Sequence, residues 1–254
     1  MNNQRIAIRQ IAFGALLVAL SIVLTRIVGI PLGFFRITLG AMPIFMSSLM
    51  LGPVAGLIVG AAADTIGFLI FPPGTWAPWP LLASLAQGFI PYFLFKATMR
   101  MRYNKKPTFP FIYPLVGGVW AFISTFVIFN DVLEITGSGI VISFTLMHKI
   151  FIPLVSALLL GGLLYVLYLI NKKLMENKHF SPNCPTPYQV AFVIFIVDLL
   201  VEVLYPVIWK QIQWSLDPMV TFFIQTAIFL VLVPIKTFFT AYIFIVYHRL
   251  IEND

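Results

Sequence analysis

Four charged side chains stand inside long runs that hold no other charge. Asp64 is alone in residues 37–71, Asp198 and Glu202 are the two charges of 188–208, and Lys236 is alone in 218–247. An ionised group at the centre of a membrane helix costs about 2.5–3.5 kcal/mol on insertion scales, so each must face protein, a cavity or an opposite charge. Asp198 and Glu202 are four residues apart and share one helix face. Lys236 is the cation that can neutralise them, and a Lys236 pair with Asp198 or Glu202 is the plain expectation. The sharper alternative is a proton relay through Asp198, Glu202 and Lys236, which would make the chain a self-sufficient proton-coupled secondary transporter.

A second group of residues suits the binding of a solute. Arg26 and Arg36 flank the short segment from Ile27 to Phe35. They either anchor helix ends by reaching to lipid headgroups or hold an anionic ligand, since arginine binds carboxylates bidentately. Asp64 lies among small residues, Gly60-Ala-Ala-Ala-Asp64-Thr-Ile-Gly67. It can link close-packed helices or accept hydrogen bonds from a ligand amine. Trp76 and Trp79 lie in Pro72-Pro-Gly-Thr-Trp76-Ala-Pro-Trp79-Pro80. They belong either to an interfacial aromatic belt or to a stiff, hinged loop that offers a flat ring a stacking surface.

Other chemistries find no residues to run on. His148-Lys149 is a polar pair near the start of a helix, but the three histidines are scattered and Cys184 is the one cysteine. No His-Glu-x-x-His run or cysteine cluster suggests a metal. No nucleophile elbow or phosphate-binding glycine loop suggests an enzyme or an ATPase. Neither a cofactor nor a metal is expected.

The elements that must position these residues follow from composition. The chain has 254 residues, 60% of them hydrophobic and 10% charged, against about 25% charged in soluble domains. That much apolar surface needs a bilayer. The net charge of +7 then reads as loop lysines and arginines that orient helices, and nucleic acid is not expected as a partner. Charges and turn residues mark about eight spans: Ile11–Thr25, two halves of Ile37–Phe71 broken at Gly52-Pro53, Leu81–Phe95, Phe109–Phe129, Ile140–Ile170, Tyr188–Ile208 and Pro218–Tyr247. The halves of 37–71 are short for a span, so they are tilted helices or one of them is re-entrant. Basic residues at 5–9, 96–106, 172–178 and 249 fall on one side of this arrangement, with Arg26, Arg36 and Lys210 on the other. That places both termini in the cytoplasm. The predicted fold is an all-α bundle of about eight transmembrane helices in one transmembrane domain.

Several stretches in order carry a resemblance. They are Ala15-Leu-Leu-Val-Ala19-Leu-Ser-Ile-Val-Leu-Thr-Arg26, Arg36-Ile-Thr-Leu-Gly-Ala-Met-Pro43, Leu51-Gly-Pro-Val-Ala-Gly through Asp64-Thr-Ile-Gly67, and Phe71-Pro-Pro-Gly74. Together, over residues 11–95, they resemble the substrate-binding S component of energy-coupling factor (ECF) vitamin transporters, most of all the folate family. The resemblance implies a bacterial cytoplasmic-membrane protein that binds a vitamin at its outer face. It also implies docking on a transmembrane coupling subunit driven by two ATPase subunits. Ala15 and Ala19 match the family's docking step on the first helix, Arg26 the ligand-associated arginine, and residues 72–80 the gating loop.

A folate-like ligand suits the residues. Arg26 and Arg36 can hold its anionic glutamate tail, Trp76 or Trp79 can stack on its pterin, and Asp64 can accept from its amino group. The chain departs from the family in length. S components have six spans, so residues 1–100 form the family-like first half. Of the hairpins in 101–187 and 188–254, one is additional, and the sequence leaves open which.

Overall fold

The computed structural model describes residues 2–32, 35–72, 76–101, 112–129, 132–135, 140–143, 146–176 and 187–252. Part of the proline-rich loop, the basic residues at 102–106, Asp131, and residues 177–186 with Cys184 therefore lie outside the described residues.

Helix α1 (Asn2–Ile22) continues into a π-helical turn, Val23–Ile27. A small hairpin follows, β1 (Ile30–Leu32) against β2 (Phe35–Ile37), with Pro31 opposite Arg36. Next come α2 (Ala41–Leu51), α3 (Pro53–Ile70), α4 (Pro78–Met101) and α5 (Ile112–Phe129). A second hairpin pairs β3 (Val132–Ile135) with β4 (Ile140–Ser143). The chain ends in α6 (Leu146–Glu176), α7 (Pro187–Asp198), a π-helical segment Leu199–Leu204, α8 (Tyr205–Trp214) and α9 (Pro218–Glu252). Residues flanking that segment keep helical dihedrals, so α7 to α8 is one rod. On that count the described residues hold eight helices, as the uncharged runs predict.

Five are long and apolar enough to cross a membrane: Ile8–Ile27, Pro53–Ile70, Lys149–Val166, Tyr188–Trp214 and Pro218–Thr240. At eleven residues, or about 16 Å, α2 is too short for a hydrocarbon core of about 30 Å. Eight of those eleven residues are buried, because α1, α3 and α4 all pack on it. The Gly52-Pro53 break stands where it was read. Gly52 has φ +96, a conformation that favours glycine, and Pro53 opens α3 where its missing N–H costs nothing.

The chain divides into two compact units, 1–104 with 239–254, and 105–238. In the first, Leu17, Ile44, Val59 and Ala63 form the core. Helices α3 and α4 cross with their backbones touching. A Cβ on Gly56 would overlap the Gly88 carbonyl, one on Gly88 the Gly56 carbonyl, and one on Gly60 the Ser84 carbonyl. Small residues four apart on both helices permit this approach. In the second unit, Phe195 and Phe229 meet edge to face at 5.0 Å within a core drawn from α5, α6, α7 and α9.

The structure corrects several boundaries. Ile37 and residues 140–143 are strand, not helix starts, so α2 begins at Ala41 and α6 at Leu146. β-Branched and aromatic residues dominate these short stretches and favour extended pairing. Lys210, read as an outer-loop residue, is buried inside α8, its Nζ 5.7 Å from the centre of the Trp209 ring. Trp79 belongs to the first turn of α4, where prolines are tolerated.

Candidate functional site

The end of α1 is where the first unit departs from regular helix. In the π-turn the Val28 N–H donates to the Val23 carbonyl at 3.0 Å, one residue further back than in an α-helix. The register shift leaves the Leu24 carbonyl without its ordinary helical donor. Thr38 Oγ1 donates to it instead, at 3.0 Å, while accepting the Gly40 N–H at 3.0 Å. Ser21 Oγ closes the circuit by donating to the Gly40 carbonyl at 2.8 Å. Gly40 must be glycine at this contact, since a Cβ would overlap Thr25 Oγ1. The segment after β2 is thus clasped to the last turns of α1.

That clasp gathers charges from three elements. Arg26, in the π-turn, sets Nη2 3.6 Å from Asp64 Oδ1 on α3, with side chains 9% and 18% exposed. The distance is an ion pair but too long for a good hydrogen bond, so both groups keep bonding capacity. Gly67, one turn beyond Asp64, makes room: a Cβ there would sit 3.3 Å from Arg26 Nε. Arg36 comes from β2, and its side chain runs past Gly29, where a Cβ would lie 3.5 Å from Arg36 Cδ. The field at the Arg26 guanidinium includes attraction from Asp64 and repulsion from Arg36. Arg26 and Asp64 therefore meet, and Arg36 lies close enough for its charge to act on Arg26. Trp79 is half-buried at the start of α4, and Trp76 is 60% exposed just before it.

Asp198, Glu202 and Lys236 form a group of their own in the second unit. Lys236 Nζ donates to Asp198 Oδ2 at 3.0 Å and to Glu202 Oε2 at 2.6 Å. Both expected pairs are present at once. Glu202 sits in the π-helical segment, immediately after Asp198 closes α7. Lys236 and Asp198 are sealed from solvent and Glu202 is partly exposed.

Ala15 and Ala19 lie exposed on α1, beside the exposed Ile8, Ile11, Leu16, Leu20 and Val23. Among the described residues no His, Cys, Asp or Glu group is arranged to hold a metal. Thr38, Ser21, Gly40 and Gly67 were not foreseen as site residues. Ile37, Thr38 and Leu39, between Arg36 and Gly40, are unremarkable in composition, and a π-turn leaves no periodic signal.

Long apolar helices around buried ion pairs make this an integral membrane protein. The profile of the family "ECF-type riboflavin transporter, S component" matches residues 5–173, more than half of the chain and the stretch that holds α1 to α6. The chain belongs to that family. It is also 38% identical over 92 residues to the folate transporter FolT of Clostridium novyi (strain NT). That match covers 36% of this chain and 49% of the relative, so the chain spans about half the length of the curated relative it matches. No solved structure matches. Both names are those of transporter components rather than enzymes.

Proposed function

We propose that the chain is the membrane-embedded substrate-binding subunit of an ATP-driven vitamin importer, and that its vitamin is folate or a related pterin carrying a carboxylate. The observation behind this is the Arg26–Asp64 pair with a second arginine, Arg36, near enough for its charge to act on Arg26. Two guanidinium groups and one carboxylate leave one net positive charge, with Arg26 and Asp64 held too far apart to satisfy each other. Riboflavin has no ionised group at neutral pH to answer that charge. Folate has an anionic glutamate tail for the arginines and an amino group for Asp64, and FolT is a folate transporter by name. Trp76 and Trp79 supply the stacking faces for the pterin.

Ala15 and Ala19 are the docking step toward the transmembrane coupling subunit and its two ATPase subunits; their exposure on α1 supports this. Both termini are cytoplasmic on this reading, and the vitamin enters from the outer face. The end of the family match at residue 173, within α6, supports reading α7 to α9 as the additional hairpin. Asp198, Glu202 and Lys236 are structural, because one lysine is bonded to both carboxylates.

The test is uptake of labelled folate by proteoliposomes. The chain alone should bind folate but not accumulate it, and accumulation should require the coupling subunit, the ATPases and ATP. Accumulation by the chain alone, driven by a proton gradient, would overturn this reading in favour of the proton relay.

A further inference from the structure

The hydrogen bonds at the end of α1 describe a choice between two helix registers. In a continuous α-helix the Val28 N–H would bond the Leu24 carbonyl. Here it bonds Val23, and the Leu24 carbonyl is satisfied from outside by the Thr38 hydroxyl. Both arrangements satisfy the same backbone groups, so neither is favoured by the count of helix bonds alone. The α-helical register needs no external donor, whereas the π register needs Thr38.

The two registers place Arg26 differently. A π-turn accommodates one extra residue, and one residue is about 100° of rotation about the helix axis. Arg26 lies within the turn that changes, facing Asp64 in the register observed. Thr38 is also two residues beyond Arg36, so the bond that holds the π-turn also ties down the segment that carries the second arginine. The Gly40 N–H to Thr38 and the Ser21 hydroxyl to Gly40 fix the orientation of the Thr38 hydroxyl, which must donate to Leu24 while accepting from Gly40.

We propose that Thr38 is a positioning residue that selects the π register of α1 and thereby sets Arg26 against Asp64. Its bearing on the vitamin rests on the reading of Arg26, Arg36 and Asp64 as the ligand site. Its bearing on the Arg26–Asp64 pair does not.

The experiment therefore has two readouts on the purified full chain. The first is the coupling of Arg26 and Asp64, read as non-additive melting-temperature shifts among Arg26→Met, Asp64→Asn and the double variant. This cycle is measured in the parent chain and in T38V, T38S and T38C backgrounds. Coupling should be present in the parent, vanish in T38V, return in T38S and be partial in T38C, whose thiol donates weakly. Coupling undiminished in T38V overturns the proposal. Should T38V fail to accumulate, coupling undiminished in T38C does the same.

The second readout is the preference for folate over 6-methylpterin, which keeps the pterin but carries no carboxylate. T38V should cut that preference by about tenfold or more, the scale of one charge-assisted hydrogen bond, and leave 6-methylpterin affinity unchanged. A merely structural role would weaken both ligands together, and that result would also overturn the proposal. A parent chain that binds neither ligand would remove the folate reading, while the coupling cycle still decides the role of Thr38.

Discussion

The two charged groups of this protein have similar parts and opposite finish. Each stands at a π-helical departure, Arg26 in Val23–Ile27 and Glu202 in Leu199–Leu204. In the second unit one lysine bonds two carboxylates at 2.6 and 3.0 Å, with Lys236 and Asp198 cut off from solvent. In the first, one carboxylate lies 3.6 Å from one of two arginines, a distance that leaves both with bonding capacity among the described residues. Closed groups of the first kind specify how helices pack. Open groups of the second kind keep donors for something that is not part of the chain. Intramembrane charge by itself therefore does not mark a solute site; charge left with bonding capacity is the feature on which the proposed site rests.

The largest expected effect breaks the closed group. Lys236→Met leaves the buried Asp198 and the partly exposed Glu202 without their cation, which should cost about 3–5 kcal/mol of stability. Thermal unfolding in detergent checks this, and combining it with Asp198→Asn and Glu202→Gln should recover most of the loss. Asp64→Asn in the open group should cost only about 1 kcal/mol, since its ion pair is long and partly exposed. Equal losses at the two groups would erase the distinction.

How far each group was legible beforehand follows from what apolar sequence records. Lone charges in uncharged runs demand partners, so the pairing of Lys236 with Asp198 and Glu202 was readable without a structure. Proline and glycine punctuate helices, so the eight helices and the Gly52-Pro53 turn were readable as well. Strands of three and four residues are too short to display an alternating pattern, and both hairpins were taken as loop or helix. Arg26 and Asp64 were each singled out as ligand groups, yet their contact with one another was not. It depends on a register shift at Leu24 and on space left by Gly67, and neither has a signature in residue type.

A smaller effect sharpens the comparison through glycine. Gly56 abuts the Gly88 carbonyl across the α3–α4 crossing, whereas Gly161 on α6 has open space where a Cβ would go. Gly56→Ala should destabilise by about 1–3 kcal/mol through forced separation of the helices. Gly161→Ala should be neutral or stabilising by up to about 1 kcal/mol, from helix propensity alone. Melting temperatures of the two variants, measured side by side, decide it; a loss at Gly161 matching that at Gly56 would show that the α6 glycine face is packed in the membrane.

On the proposed function, the open group at the end of α1 holds an anionic vitamin. Equilibrium titration of folate and of riboflavin against the purified chain, without partner or nucleotide, tests it most directly, with Arg36→Ala as the companion. Folate should bind in preference to riboflavin, and Arg36→Ala should weaken folate by about 10–100-fold while leaving any riboflavin binding unchanged. Riboflavin bound tightly with folate ignored, or folate bound equally well without Arg36, would contradict it.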